Sequence, residues 1–186
     1  MRLFIGIEVP EKVKKKISKE IEKLKSRYPT FRWVKQDNYH LTLLFLGEVK
    51  EEKLAKIKTR LERAVFDFTP FYLFSYSYEL FINHKIVLYA AFKREKEIEN
   101  LAKNIRKEFK EFNFKTNSKR FVPHLTIARA RIPSKQQYFV LKKTLLKIPT
   151  DFFFKVDKIV LYKSTLTKKG PIYEKLYEVL LHPQEK

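Results

Sequence analysis

The sequence predicts an α+β fold of two similar lobes related by a pseudo-two-fold axis. Three observations carry this reading: apolar stripes at helical spacing, β-rich runs between them, and an internal repeat at an offset of 84 residues.

The elements follow in order. Leu3 to Val9 is a short apolar run of strand type. Pro10 suits the first turn of a helix whose stripe is Val13, Ile17, Ile21 and Leu24, with Lys and Glu between. Tyr39 to Leu46 is a second strand, and Leu54, Ile57, Leu61 and Ala64 mark a second helix. Phe71 to Phe81 and Ile86 to Phe92 form a hairpin across Ile82-Asn83-His84-Lys85. A third helix carries Ile98, Leu101, Ile105 and Phe109, followed by a strand from Val122 to Arg129. Ser134 after Pro133 caps a fourth helix bearing Tyr138, Leu141, Leu145 and Ile148, and Pro149 stops it. Phe152 to Tyr162 and Ile172 to Leu181 read as the last two strands.

The repeat aligns Phe4-Ile5-Gly6-Ile7 with Leu88-Tyr89-Ala90-Ala91, and Ile17 and Ile21 with Leu101 and Ile105. It also aligns His40-Leu41-Thr42-Leu43 with His124-Leu125-Thr126-Ile127, and Leu61 with Leu145. Strand, helix, His-containing strand and helix thus occur twice. We read 1–186 as a single bilobal domain with approximate repeats 1–80 and 85–162 and a last strand at 172–181.

Composition bounds the function. The 186 residues hold 41 Lys plus Arg against 21 Asp plus Glu, a formal charge of +20 that favours a polyanionic partner. With 44% apolar and 15% aromatic residues, burial offsets ordering entropy, which excludes a disordered basic tail. The absence of Cys excludes disulfides, thiolate nucleophiles and Cys-ligated zinc. The longest apolar run, Ile86 to Phe92, is far short of the ~20 residues that span a bilayer, so no membrane association is expected. Met1-Arg2 leads straight into a strand with no secretory signal, so a cytoplasmic location follows by default. Abundant Lys and Glu with only 3 Gly and 1 Met lean toward a thermophile-like composition.

Two of the four histidines sit in His-hydrophobic-Thr-hydrophobic tetrapeptides, far more often than chance allows with 10 Thr in the chain. Alternation along a strand points His40 with Thr42, and His124 with Thr126, to one face while the intervening residues pack inward. If the axis brings these faces together, a cleft holds two imidazoles on opposite sides and two hydroxyls between them. One neutral imidazole can then take a proton from water while a protonated one delivers a proton to the leaving oxygen of a phosphate ester. The hydroxyls can donate to the non-bridging oxygens, so this chemistry requires no metal and no cofactor. His84 in the hairpin and His182 near the tail read as exposed bystanders, and a His-only zinc site lacks carboxylates at ligand spacing. Arg129, five residues after His124, has Phe45 at the repeat-related position, and it can grip phosphate or stack on a base. Arg120 and Phe121 border the same strand, with Phe121 a stacking platform or, given 17 Phe, a core residue.

The two His-x-Thr-x motifs resemble those of the two-histidine (2H) phosphoesterases. The segments 2–10, Trp33-Val34, 40–49, 121–129, Ser164-Thr165-Leu166 and Gly170-Pro171-Ile172-Tyr173 resemble its RNA 2′,3′-cyclic phosphodiesterase branch, also called the 2′-5′ RNA ligase family. The resemblance implies antiparallel sheets lining a central cleft with helices outside, and hydrolysis of an RNA 2′,3′-cyclic phosphate, for example on tRNA fragments, to a 2′-phosphate. It implies His40 as proton donor, His124 as proton acceptor, and Thr42, Thr126 and Arg129 as phosphate-binding residues. There are two departures. Leu44 stands where the family often has Lys, removing one cationic contact, and 81–86 replaces the family's Pro- and Arg-containing turn. A monomer is expected. Two other functions compete: 2′-5′ ligation of RNA ends in the same cleft, and a non-catalytic basic RNA-binding module. Between Phe112 and Thr150 there are nine basic residues and no acid, which suggests that Lys142, Lys143 and Lys147 form a margin for the RNA strand.

Overall fold

The structure, a computed structural model, describes residues 1–82, 85–112, 121–131 and 134–182. Arg120, His84, Pro133, Lys115 and Lys119 lie outside the described residues. The chain runs β1 (Arg2–Glu8), α1 (Glu11–Glu20), α2 (Glu22–Arg27), β2 (Arg32–Trp33), β3 (His40–Glu48), α3 (Leu54–Val65), β4 (Phe71–Ile82) and β5 (Ile86–Phe92). It continues through α4 (Lys96–Glu108), β6 (His124–Ala130), α5 (Lys135–Leu145), β7 (Phe153–Val156), β8 (Lys158–Thr167) and β9 (Gly170–Leu180). The strands pair antiparallel in the order β7, β4, β5, β6, β3, β1, β8, β9, with β2 added on β6. The α+β class with antiparallel strands and outer helices is therefore as the sequence indicates.

The helices bury one stripe each against one face of this sheet. Val13 and Ile17 of α1, Ile57 and Leu61 of α3, Leu101 and Ile105 of α4 and Leu141 and Leu145 of α5 join Ile5, Ile7, Leu41, Leu43, Leu88, Ala90, Leu125 and Ile127 in one core. Asn104 Nδ2 donates to the Ala64 carbonyl at 2.7 Å, tying α4 to α3. The Ser134 cap forms a full capping box: Ser134 Oγ accepts from Gln137 N at 3.3 Å and Gln137 Oε1 accepts from Ser134 N at 3.2 Å. Pro10 stands one place before the first turn, its carbonyl accepting from Val13 N and Lys14 N. The first stripe is split into α1 and α2 at Ile21, whose side chain stays in the core.

The strand expected from Phe152 to Tyr162 is two strands. β7 pairs with β4 at one end of the strand order and β8 with β1, next to β9 at the other end. Asp157 alone separates them, so β7 and the last-but-one strand of the path lie within about 7 Å where they join, and the sheet must curl. Buried apolar residues continue on both sides of the break, Phe154 and Val156 before it and Ile159 to Leu161 after it, and neither Gly nor Pro marks the joint.

The strand order falls into two halves, β9, β8, β1, β3 and β6, β5, β4, β7, whose ladders are joined among the described residues by the pair Leu41–Leu125. β4, from the first part of the chain, lies in the half that holds β5 and β6, whereas β8 returns to the half that holds β1 and β3.

Candidate active site

Leu41 and Leu125 are repeat-related, so the pseudo-two-fold axis passes through the pair that joins the halves. Antiparallel register about it sets His40 beside Thr126 and Thr42 beside His124, all four on the face opposite the helices. The two histidines sit on a diagonal, which in a paired ladder separates residues by about 7–8 Å. That gap accommodates one phosphate group.

A bulge is repeated in both halves. β1 pairs Ile5 with Leu44 and then Gly6 with Thr42, leaving Leu43 as the extra residue. β5 pairs Leu88 with Ala128 and then Tyr89 with Thr126, leaving Ile127 as the extra one. Two consecutive residues, Leu43 and Leu44 or Ile127 and Ala128, thereby turn into the helix-side core. The extra residue resets the alternation, so positions 45 and 129 return to the face of the histidines although they lie an odd number of residues away. This explains how Arg129 reaches the site: its charge acts on His40, His124 and Tyr173. Position 44 faces the core, so the expected loss of a cationic cleft contact through Leu44 does not arise. Phe45, at the position related to Arg129, is exposed beside Phe4, with ring centroids 6.0 Å apart.

Both imidazoles are held alike. The carbonyl of Asn38 lies 2.7 Å from His40 Nδ1, and that of Val122 lies 2.8 Å from His124 Nδ1. A carbonyl only accepts, so in each ring Nδ1 carries hydrogen and Nε2 is left for chemistry. Asn38 is itself fixed by donation of Nδ2 to the Pro171 carbonyl at 2.8 Å. Around His40 stand Phe4, with centroids at 4.8 Å, and Tyr173, edge-on at 5.0 Å; Phe4 also stacks on Tyr162 at 4.9 Å. Around His124 stand Phe81, edge-on at 5.1 Å, and Tyr89 at 5.5 Å, whose rings stack on each other at 4.0 Å. Tyr89 Oη donates to Glu79 Oε2 at 3.1 Å and Ser77 Oγ donates to Glu79 Oε1 at 2.7 Å, anchoring that aromatic wall.

The two imidazoles differ in what meets Nε2. Thr42 Oγ1 lies 3.0 Å from His40 Nε2, and with Nδ1 protonated the hydroxyl donates to it. His124 Nε2 has no hydrogen-bond partner among the described residues.

Burial among these rings pushes His40 down to about 4, with the charges of Arg129, His124 and Lys14 adding to it. Burial and Arg129 also lower His124. Glu8, the ladder partner of His40, does not offset this, because Lys175 at 2.6 Å and Lys158 at 3.0 Å engage its carboxylate. The cleft is therefore cationic through Arg129, with both imidazoles neutral near pH 7. An arriving anion supplies the missing counter-charge.

The remaining sequence candidates fall elsewhere. Phe121 is half-buried against the helix-side core beneath the Arg106 guanidinium at 5.5 Å, and His182 is exposed after the last strand. Phe4, Phe81, Tyr89 and Tyr173 are not site candidates by sequence, because nothing gives them a role apart from the chain's many other aromatic residues until register places them beside a histidine. No helix among the described residues is long and apolar enough to cross a membrane.

The model of the 2′-5′ RNA ligase superfamily matches residues 13–167. Among curated proteins, an RNA 2′,3′-cyclic phosphodiesterase of Thermotoga maritima is 38% identical over 184 residues, covering 96% of this chain and 94% of its own. One from Methanocaldococcus jannaschii is 34% identical, covering 96% and 99%. Among solved structures, TT0787 of Thermus thermophilus superposes with a TM-score of 0.83 at 26% identity over the whole of both chains. Escherichia coli LigT shares the fold, with a TM-score of 0.75 at 23% identity over 98% of each chain.

Proposed function

The chain belongs to the 2′-5′ RNA ligase superfamily, and from that premise we propose that it hydrolyses RNA 2′,3′-cyclic phosphate ends to 2′-phosphomonoesters. The observation that carries this reading is the pair of His-x-Thr motifs facing each other about the Leu41–Leu125 pair, each imidazole presenting Nε2 to one phosphate-sized gap.

The terminal cyclic phosphate sits between the histidines. His124 Nε2, free of a partner, takes a proton from water as its oxygen bonds to phosphorus. The P–O3′ bond breaks on the opposite side, and His40 Nε2–H delivers its proton to the departing 3′ oxygen. Protonated His40 donates through Nε2 to Thr42 Oγ1 before transfer, which turns the Thr42 hydroxyl hydrogen toward the phosphate. Thr126 donates to a second non-bridging oxygen and Arg129 balances its charge. The products are a 2′-phosphate and a 3′-hydroxyl. Every step uses side chains of this chain alone, so the reaction is assigned as independent of metal and cofactor.

Incubation of a cyclic-phosphate oligoribonucleotide with the protein in EDTA tests this directly. A 2′-phosphate product is expected, and no ring opening, or a 3′-phosphate product, overturns the reading. A 5′-hydroxyl RNA in place of water would give a 2′-5′ linkage by the same geometry, and hydrolysis is expected to dominate at equal RNA concentrations. RNA binding that persists without any ring opening would leave the non-catalytic module. The RNA is taken to bind a monomer.

A further inference from the structure

Beyond the catalytic cleft lies a cavity of about 900 Å³ whose wall includes Arg129. It is lined by four further cations, Arg27, Arg32, Lys85 and Arg131, and contains no acidic residue. Among the described residues none of these five cations meets a carboxylate within salt-bridge distance. Arg32 and Arg129 are direct partners across the β2–β6 pair, an arrangement of like charges that destabilises a sheet unless an anion lies near. Two aromatic rings, Tyr28 and Phe31, line the same cavity with centroids 5.0 Å apart, and the Arg27 guanidinium stands 5.9 Å from the Tyr28 ring. β2 occupies the edge of β6 beyond its pair with β3, so Arg129 is common to the cleft and the cavity.

Cations without counter-charge beside aromatic rings are the combination that binds single-stranded nucleic acid: the charges track phosphates and the rings receive bases. A cyclic phosphate ends its RNA at the 3′ side, so the polynucleotide can leave the cleft only toward its 5′ side, through one exit. We infer that the cavity is that exit: a subsite for the phosphates and bases 5′ of the reacting nucleotide, with Arg27, Arg32 and Arg131 on phosphates and Tyr28 and Phe31 beneath bases. This inference rests on the hydrolase reading. It makes the preferred substrate an oligoribonucleotide and not a cyclic mononucleotide.

The three exposed lysines Lys142, Lys143 and Lys147 are absent from this cavity, whereas Leu141 of the same helix lines it. They therefore provide the comparison surface. Three proteins are compared: wild type, the triple variant Arg27→Ala, Arg32→Ala, Arg131→Ala, and the triple variant Lys142→Ala, Lys143→Ala, Lys147→Ala. Each is assayed on a 2′,3′-cyclic mononucleotide and on an octaribonucleotide ending in the cyclic phosphate. The arginine variant is expected to raise KM for the octamer at least tenfold while mononucleotide turnover stays within twofold. Its octamer affinity should also lose about 2 units of log–log salt slope, from three phosphate contacts at ~0.7 each. The lysine variant should change the two substrates alike.

Equal losses on both substrates, or octamer losses as large from the lysine variant, overturn the inference. Turnover of the mononucleotide reports that the variant is folded; if it is not, Lys85→Ala with Arg131→Ala gives the same octamer-to-mononucleotide ratio test. Anisotropy of an octamer ending in a 2′-phosphate requires no turnover. If wild type opens neither substrate, the hydrolase reading fails, and tenfold weaker binding by the arginine variant alone still decides the cavity.

Discussion

At the residue scale, His40 and His124 are set apart by what lies on Nε2. His40 meets the Thr42 hydroxyl and His124 meets nothing among the described residues. Each removal is expected to cost ~10²–10⁴-fold in kcat/KM, measured on the cyclic substrate, if each acts as a general acid or base. The pH dependence follows from burial. Burial pushes His40 down to about 4 and lowers His124, so the form that carries one proton on the pair, only a minor part of it on His40, is populated on the acid side of neutrality. The kcat/KM bell should therefore lie below pH 6.5, and the bell in kcat should lie at higher pH, because bound phosphate supplies a counter-charge that raises both histidines. A kcat/KM optimum above pH 8 would contradict this. Stability follows with the same sign. A histidine lowered by folding favours the native state above its unfolded value of 6.5, and this contribution is lost as pH falls toward 4. Urea midpoints should drop over that interval in wild type and drop less in His40→Gln.

At the scale of elements, the repeated bulge links sequence to site. The His-x-Thr pairs were legible because strand alternation places residues i and i+2 together, and the repeat put two such pairs in one chain. The route of Arg129 to the same face was not legible, since i+5 faces the other way in a regular strand. The bulge that corrects it leaves no composition signal. The same feature spoils the first strand of the repeat: an offset of 84 aligns Phe4 with Leu88, whereas the pairing of each with its neighbour relates Ile5 to Leu88 and Gly6 to Tyr89. A one-residue slip exchanges core and cleft faces, which is why Phe4 and Tyr89 were missed as walls of the site. Gly6 is where the two halves cannot match. A Cβ there would stand 2.7 Å from the Leu41 carbonyl oxygen, which lies between His40 and Thr42. Gly6→Ala should therefore cost about 1–3 kcal/mol in chemical unfolding and lower kcat, whereas Gly47→Ala should leave kcat unchanged.

At the scale of the whole molecule, the antiparallel class, the helices and the pairing of the two histidines could be read from periodicity and repetition. The exchange of β4 and β8 between halves of the sheet could not. It depends on exposed Asp157, where the chain passes directly from β7 at one end of the strand order to β8, next to β9 at the other, without Gly or Pro. The charge of +20 likewise named a polyanion but not its path: the lysine-rich helix face drew attention in sequence, while the arginines of the cavity are spread over 105 residues from Arg27 to Arg131 and converge only in the fold. A leaving group that needs no proton separates the roles of the two imidazoles. His40→Ala and His124→Ala should both be nearly inactive on the cyclic phosphate. On a 3′-deoxynucleoside 2′-(4-nitrophenyl phosphate), in which nitrophenolate takes the place of the 3′ oxygen as leaving group and departs unprotonated, His40→Ala should recover most of the wild-type rate while His124→Ala stays inactive. Recovery by His124→Ala instead, or full activity of either variant on the cyclic phosphate, would contradict the account.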